Sequence, residues 1–116
     1  MQFEASRPIW LQVKADLEAS IASGARPPGE KLPGGRDLAL AYGINPNTAA
    51  RVYQELEKDG VCETRRGMGT YVTSDPERID GLRSALAGQA AEEFRKKVKA
   101  LGVPLEEAVR IILEEE

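Results

Sequence analysis

The sequence predicts a mostly α-helical protein with one small β-hairpin, and three observations support that prediction. Apolar residues recur every three to four positions over most of the 116 residues, as in helices that bury one face. That period is lost between residues 61 and 73, where two short runs typical of strands flank a glycine-containing turn. Glycine, proline and asparagine stand where helices are expected to begin or end. We therefore expect three helices, a hairpin and a final pair of helices.

The first helix is expected to follow Pro8, which is tolerated in a first turn. The Ser6 hydroxyl could cap the free backbone amides at that end. Gly24 is expected to end the helix, and the segment from Ala25 to Gly29 is read as a turn. The apolar face of this helix contains Ile9, Trp10, Val13, Leu17 and Ile21.

Two helices separated by a short turn are predicted next. The shorter one begins at Asp37, whose carboxylate favours the positive end of the helix dipole, and Gly43 stops it. The longer one has Asn45 as its cap and Pro46 in its first position, and it runs to Asp59. This arrangement is a helix-turn-helix pattern. The hairpin formed by VCETR, RGMG and TYVT then adds a wing.

The last part of the chain predicts a helical hairpin. Ser74 and Glu77 have the spacing of a capping box, and Gly102 and Pro104 separate a long helix from a short one. We therefore expect a winged helix-turn-helix domain over residues 1–74 and a two-helix dimerisation tail over residues 75–116. A hairpin of that size has too little core to stand alone. The expected homodimer interface consists of Leu82, Leu86, Phe94, Leu101, Leu105, Val109 and Ile112. In the alternative, this apolar stripe packs back on Trp10 and leaves a monomer.

Composition excludes most catalytic chemistry. The chain has no histidine and one cysteine, Cys62, so we expect no enzyme, no metal site, no cofactor and no internal disulfide. No apolar run approaches about 18 residues, and the N-terminus lacks a signal pattern, so we expect a cytoplasmic protein without a membrane partner. The net charge of −3 comes from residues 74–116, with seven basic against ten acidic residues, whereas residues 1–73 have nine of each. Nucleic-acid binding needs only a local basic face.

The stretch GEKLPGGR raises the possibility of a nucleotide-binding phosphate loop. Its two glycines have the spacing of that motif, but Gly35 and Arg36 stand where lysine and serine or threonine are required. No hydrophobic strand precedes it. The stretch is better explained as a helix entrance whose glycines leave the backbone amides open to an anion. In that position Arg36 would contact the phosphate or guanine edge of DNA.

Three elements carry candidate DNA contacts. Besides Arg36, the second helix of the pair presents Asn47, Thr48 and Arg51, and asparagine and arginine can read adenine and guanine. The hairpin tip adds Arg65, Arg66 and Gly67. Taken alone, each polar group could be part of a solvated surface, and those of the hairpin could be a charge pair on an edge strand. A winged helix brings the three elements to one side, which favours DNA binding.

With these motifs in place, the chain resembles the GntR family of bacterial transcription regulators from Pro8 to about Val72. The matching stretches are PIW-Q, PGEKLP with Arg36, GINPNT, YQELEKDG and ETRRGMGTYV. The short tail looks like that of the YtrA subfamily. The resemblance implies that Arg36, Asn47, Thr48, Arg51 and Gly67 lie on or next to DNA-contacting positions.

The sequence therefore predicts a sequence-specific regulator, expected to be a repressor that binds a palindromic operator in double-stranded DNA as a homodimer. It would be associated with the nucleoid when bound. A small-molecule effector is left open. The competing interpretation is a protein-interaction module that uses the winged helix for docking, without specific DNA binding.

Overall fold

The computed structural model of the chain describes residues 1–114 and confirms the predicted fold class and order of elements. Three helices precede a two-stranded antiparallel sheet, and two helices follow it. The helices are α1 (Ile9–Ala22), α2 (Gly35–Tyr42), α3 (Pro46–Lys58), α4 (Pro76–Ala100) and α5 (Leu105–Glu114), and the strands are β1 (Cys62–Arg65) and β2 (Gly69–Val72).

The chain divides into two compact units, a first unit from Met1 to Arg83 and a second unit from Ser84 onward. The first unit extends beyond the expected boundary at residue 74 because it includes the first two turns of α4. There Ile79 is buried and Leu82 packs against the core of the same unit.

The core of the first unit draws side chains from α1, α2, α3 and the hairpin. Burial of each large aliphatic side chain in such a core contributes about 1.5–3 kcal/mol relative to leaving it exposed. The predicted inward face of α3 is confirmed, since Ala49, Val52, Tyr53 and Leu56 are all buried. The most completely buried large side chains are Val13, Leu17, Ile21, Leu38, Val52, Leu56 and Val72.

The ends of α2 and α3 are largely those that the sequence predicts. α2 begins at Gly35, two residues before the expected Asp37, and ends at Gly43, whose φ of 66° lies in the left-handed region. The side chain of Asn45 caps α3 by accepting a hydrogen bond from the Asn47 N–H at 2.7 Å. This cap fixes the first turn of α3.

The predicted Ser6 cap of α1 was wrong. α1 begins three residues later, and Pro8, which has no side-chain acceptor, directly precedes it. The side chain of Gln12 instead hydrogen-bonds to the backbone of the segment before α1. Its side-chain oxygen accepts from the N–H of Glu4 at 2.8 Å, and its side-chain nitrogen donates to the carbonyls of Glu4 at 2.8 Å and Arg7 at 3.0 Å.

The predicted capping box at α4 was also wrong. Ser74 lies one position too early, because the residue directly before Pro76 at the start of α4 is Asp75. The Asp75 carboxylate accepts from the N–H of Glu77 at 2.9 Å and so performs the capping role.

The wing is wider than a two-stranded hairpin. Cys62 pairs with Val72 and Arg65 with Gly69 across the antiparallel ladder. On the other edge of β2, the backbone of Gly29, Glu30 and Leu32 hydrogen-bonds to Val72 and Thr70, with a bridge between Lys31 and Tyr71. The turn predicted over 25–29 agrees with the turns and bends found there, but the sequence gave no sign of the pairing that follows.

The second unit contains the rest of α4 and α5. Val98 and Ala108 are buried within it. Several large apolar side chains of this unit remain exposed, namely Leu101, Leu105, Val109, Ile111, Ile112 and Leu113. Within residues 1–114, no helix is both long enough and apolar enough to cross a membrane.

Candidate nucleic-acid interface

The loop that leads into α2 is held in place from two sides. The Leu32 N–H donates to the carbonyl of Thr70 in β2 at 2.8 Å. The Tyr53 hydroxyl of α3 donates to the carbonyl of Pro33. Burial raises the pKa of Tyr53 to about 12, so the hydroxyl retains this proton at physiological pH. The glycine-rich entrance is therefore tied to both the wing and α3.

The start of α2 is open to solvent. Gly34 and Gly35 are exposed, and a Cβ placed on either glycine would meet no atom within 4 Å. Arg36 follows in the first turn and is also exposed. A helix start with uncrowded amides and an adjacent guanidinium is suited to binding an anion.

α3 exposes a polar face opposite its buried residues. Asn47, Ala50, Arg51 and Gln54 are exposed, and Thr48 is half-buried. The backbone N–H of Asn47 is occupied by the Asn45 cap, but its side chain is not part of that bond. The amide and guanidinium groups on this face are the types that read base edges in a major groove.

Arg51 makes a contact that sequence analysis missed. Its guanidinium carbon lies 4.1 Å from the centroid of the Trp10 ring in α1. The two residues are far apart in sequence, so helical periodicity placed Trp10 on an apolar face but gave no indication of its partner. The stack joins the first turn of α1 to the polar face of α3.

The arginines of the wing differ from each other. Arg65 is paired with Glu63, with 3.0 Å between Arg65 Nη2 and Glu63 Oε1, and its guanidinium carbon lies 4.0 Å from the Tyr71 ring centroid. Arg66 and Gly67 are exposed at the tip. Among residues 1–114, no carboxylate forms an ion pair with Arg36, Arg51 or Arg66.

The α2 entrance and the wing line one open cavity of about 670 Å³. Pro33, Gly34 and Gly35 contribute from the entrance, and residues 68–70 contribute from the wing. Lys31 also lines it, and its Cε would lie 3.0 Å from a Cβ placed on Gly69. The sequence gave no reason to select Lys31, because its position depends on the bridge to β2.

Comparison with known proteins agrees with this geometry. The family model described as bacterial regulatory proteins of the gntR family matches residues 10–72. The chain is 40% identical over 106 residues to the uncharacterized HTH-type transcriptional regulator YhcF of Bacillus subtilis, covering 91% of this chain and 88% of YhcF. It is 41% identical over 70 residues to the HTH-type transcriptional repressor YtrA of the same organism, covering 60% of this chain and 54% of YtrA.

Solved structures show the same similarity. A GntR family transcriptional regulator from Listeria monocytogenes superimposes with a TM-score of 0.89 at 34% identity, covering 98% of this chain and all of that chain. The DNA-binding domain of AraR, solved in complex with operator ORX1, matches with a TM-score of 0.59 at 25% identity, covering 62% of this chain and 93% of that domain. The predicted resemblance is confirmed, and with it a regulator rather than an enzyme. The chain belongs to the GntR family of bacterial regulatory proteins and is a helix-turn-helix transcriptional regulator similar to YhcF and YtrA.

Proposed function

We propose that this regulator binds a palindromic DNA operator as a homodimer and represses transcription there. One observation carries the proposal. Arg36, Arg51 and Arg66 come from α2, α3 and the wing, all three are exposed, and none has an acidic partner within residues 1–114. Unpaired guanidinium groups on three elements of a winged helix-turn-helix are suited to phosphates and base edges.

The α2 entrance has the role of a phosphate contact in this proposal. Gly34 and Gly35 are exposed and leave open space where a side chain would stand, so a phosphate can approach the helix start, and the Arg36 side chain can neutralise it. Because Tyr53 holds the carbonyl of Pro33, the entrance does not have to be ordered on binding. This contact fixes the register of the protein on DNA without reading sequence.

The N-terminal half of α3 has the role of base reader. Asn47 can form two hydrogen bonds with adenine, and Arg51 can form two with guanine. Thr48 is half-buried, and its hydroxyl can hydrogen-bond to a phosphate or base edge that lies close to the helix. Short side chains at Asn47, Thr48 and Ala50 allow the helix to lie deep in the groove.

The wing supplies contacts at the side of the operator. Arg66 is the more available cation, since Arg65 is held by Glu63 and Tyr71. Gly67 lets the tip turn tightly, and its lack of a side chain permits a close approach to the DNA backbone. Lys31 adds a cation in the cavity between the wing and the α2 entrance, which Arg26, Glu30 and Asp37 also line.

The solved relatives support DNA as the partner. The AraR domain, which matches this fold, is bound to its operator in two of the solved complexes. Repression is supported by the similarity to YtrA, which is named a transcriptional repressor. These properties belong to AraR and YtrA, and we extend them to this chain as part of the proposal.

The dimer is supported by the second unit. α5 has its charged residues on one arc and apolar residues on the rest of its circumference, and of these apolar residues Ala108 is buried within the unit. On the uncovered side Leu105 is 36% exposed, Val109 42%, Ile112 50% and Leu113 70%. An apolar surface of this kind favours association with a second copy.

We propose that the interface centres on this face of α5. Leu82 packs against the core of the first unit, so its share of the interface is smaller than the sequence suggested. Leu86 and Phe94 are half-buried on α4, and Leu101 is exposed beyond its end. The interface residues in this proposal are Leu86, Phe94, Leu101, Leu105, Val109 and Ile112, with Leu82 at its margin.

The cavity in the second unit is a poor candidate for an effector site. It has a volume of about 290 Å³ and is lined by Arg95, Val98, Lys99, Val103 and Leu105. Its volume is just below the range for small-molecule sites, and among the residues that line it the polar groups are only Arg95 and Lys99. We therefore assign no effector to it.

The test begins with selection of duplexes from a randomised pool by the full chain. Fluorescence anisotropy then measures affinity for the selected duplex and a scrambled duplex over a salt series, for wild type and Arg36→Ala. Arg95→Ala is the matched control, because Arg95 is an exposed arginine in the second unit.

We expect wild type to prefer the selected duplex and to lose affinity steeply as salt rises. Arg36→Ala should weaken binding to both duplexes and lower the salt slope by about one, whereas Arg95→Ala should bind like wild type. Binding indifferent to sequence and to Arg36 would instead favour the protein-interaction module.

A further inference from the structure

The stack between Trp10 and Arg51 links α1 to the face of α3 that is proposed to read DNA. The guanidinium carbon of Arg51 lies 4.1 Å from the Trp10 ring centroid, within the range of a cation–π interaction. Trp10 is half-buried and packs against the core, whereas Arg51 is exposed. A fixed aromatic surface therefore supports a solvent-facing cation.

This geometry leaves the hydrogen-bonding capacity of Arg51 free. A guanidinium group that stacks on an aromatic ring uses its flat face, while its N–H donors point outward in the plane. Within residues 1–114, no carboxylate pairs with those donors. Arg65 is different, because it stacks on Tyr71 but also pairs with Glu63 at 3.0 Å.

Residues of α1 close to Trp10 make further polar contacts. Two residues further along α1, Gln12 bonds to the backbone of the N-terminal segment at 2.8 Å and 3.0 Å. Lys14 of α1 pairs with Asp59 at the end of α3, with 2.7 Å between Nζ and Oδ2. The ion pair is a second contact of α1 with the end of α3, besides the stack of Arg51 on Trp10.

We propose that Trp10 is a positioning residue that orients Arg51 toward a guanine edge, and that Arg51 is a specificity-determining residue of this regulator. The inference rests on the proposed DNA-binding function. An arginine side chain has many rotamers, and the entropy lost in ordering it weakens binding unless it is ordered beforehand. The stack orders Arg51 in the free protein, and its two parallel donors then match the guanine acceptors.

The experiment measures the selectivity ratio, which is the affinity for the selected duplex divided by that for duplexes with one base pair changed. The variants are Trp10→Phe, Trp10→Leu, Arg51→Gln and the double variant Trp10→Leu/Arg51→Gln. Phenylalanine keeps an aromatic face, whereas leucine keeps apolar bulk without one. Thermal unfolding of each variant shows whether it is folded under the binding conditions.

We expect Arg51→Gln to lower the ratio at one G·C position by roughly 5- to 100-fold. Trp10→Leu should lower the ratio at the same position by about three- to tenfold, with Trp10→Phe restoring most of it. In the double variant, loss of Trp10 should have no further effect, because there is no guanidinium left to orient.

A second readout does not depend on the folding of Trp10→Leu. Trp10 is the single tryptophan of the chain, so its emission reports the stack directly. We expect the emission maximum and quenching of the free protein to differ between wild type and Arg51→Gln. Identical emission would overturn the stack in solution.

The inference and the proposed function fail in different ways. If wild type selects no sequence, both are wrong. If wild type selects an operator but Trp10→Leu keeps the wild-type ratio, or lowers it equally in the Arg51→Gln background, DNA recognition stands and the positioning role is wrong.

Discussion

The buried thiol of Cys62 makes the stability of the fold depend on pH. Its side chain is 3% exposed, and burial, with a smaller effect from the Glu57 carboxylate, raises the pKa of the thiol to about 12. The thiolate is the reactive form of cysteine, so this thiol is inert near neutral pH. Cys62 is therefore a residue of the hydrophobic core.

We predict that the free energy of unfolding falls as pH rises from about 9 to 12. The pKa values of Cys62 and Tyr53 are both raised to about 12, from ordinary values near 9 and 10. The folded state therefore keeps protons that the unfolded state has released, and each group destabilises the fold by up to about 1.4 kcal/mol per pH unit across its window. Below pH 9 these two groups add no pH dependence.

Lys14 changes stability in the same direction. Burial acts to lower its pKa, but the hydrogen bond to Asp59 and the nearby carboxylates of Glu18, Asp59 and Glu55 together raise it.

The pH dependence of stability is measured by urea unfolding at several pH values, with Cys62→Ala as the comparison. Cys62→Ala should lose stability less steeply above pH 9, and an equal slope in both proteins would contradict the assignment to the thiol.

The start of a helix depends on the single residue that caps it. Asn45 was predictable as a cap because it directly precedes a proline, and proline is favoured in the first position of a helix. Ser6 and Ser74 were misassigned because several polar residues stand near each start, and only the one adjacent to the first turn can cap it. At α4 the same proline rule would have selected Asp75, since it precedes Pro76.

In the wing, one of two neighbouring arginines is paired with a carboxylate. Arg65 and Glu63 lie on the same strand two residues apart and therefore on the same face of the hairpin. Their pairing at 3.0 Å neutralises one of the two cations near the tip. Which of the two arginines pairs with Glu63 depends on side-chain geometry and could not be predicted from the sequence.

We predict that Glu63→Gln strengthens DNA binding about two- to fivefold at low salt. The change removes a negative charge near the DNA backbone and releases the guanidinium of Arg65. Arg66→Ala should weaken binding and lower the salt slope by about one. The measurement is anisotropy over a salt series, and unchanged affinity for Glu63→Gln would show that the wing lies away from the DNA.

Elements were predicted well where their signals are local. The periodicity of α3, its cap and the glycine that ends α2 all lie within a few residues of the structures they specify. The pairing of Lys31 with Tyr71 was missed because it joins segments 40 residues apart, and residues 27–29 read as a turn. The pairing forms because the segment around Lys31 lies along the free edge of β2, where its backbone can hydrogen-bond to Thr70 and Val72.

At the scale of the whole molecule, charge and candidate contacts differ between the two units. Residues 1–83 have eleven basic and twelve acidic residues, and residues 84–116 have five basic and seven acidic residues. The candidate DNA contacts all lie in the first unit, and the uncovered apolar face lies in the second. The Trp10–Arg51 stack could not be predicted from the sequence, because it forms only when α1 packs on α3.

We predict that Val109→Asp converts the protein to a monomer. Val109 is 42% exposed in the middle of the apolar face of α5, and a carboxylate there would have to be desolvated on association. Arg110→Ala is the matched control on the charged arc of the same helix. Light scattering should give twice the 12.6 kDa chain mass for wild type and Arg110→Ala, and 12.6 kDa for Val109→Asp. A monomeric wild type at micromolar concentration would contradict the proposed interface.

The most direct test of dimeric, sequence-selective DNA binding is the stoichiometry and selectivity of the complex, measured on a palindromic duplex selected by the full chain. We predict that light scattering finds two chains per duplex, and that Val109→Asp and a half-site duplex each lose most of the affinity. One chain per duplex with undiminished affinity, or binding that does not distinguish the selected duplex from a scrambled one, would contradict it.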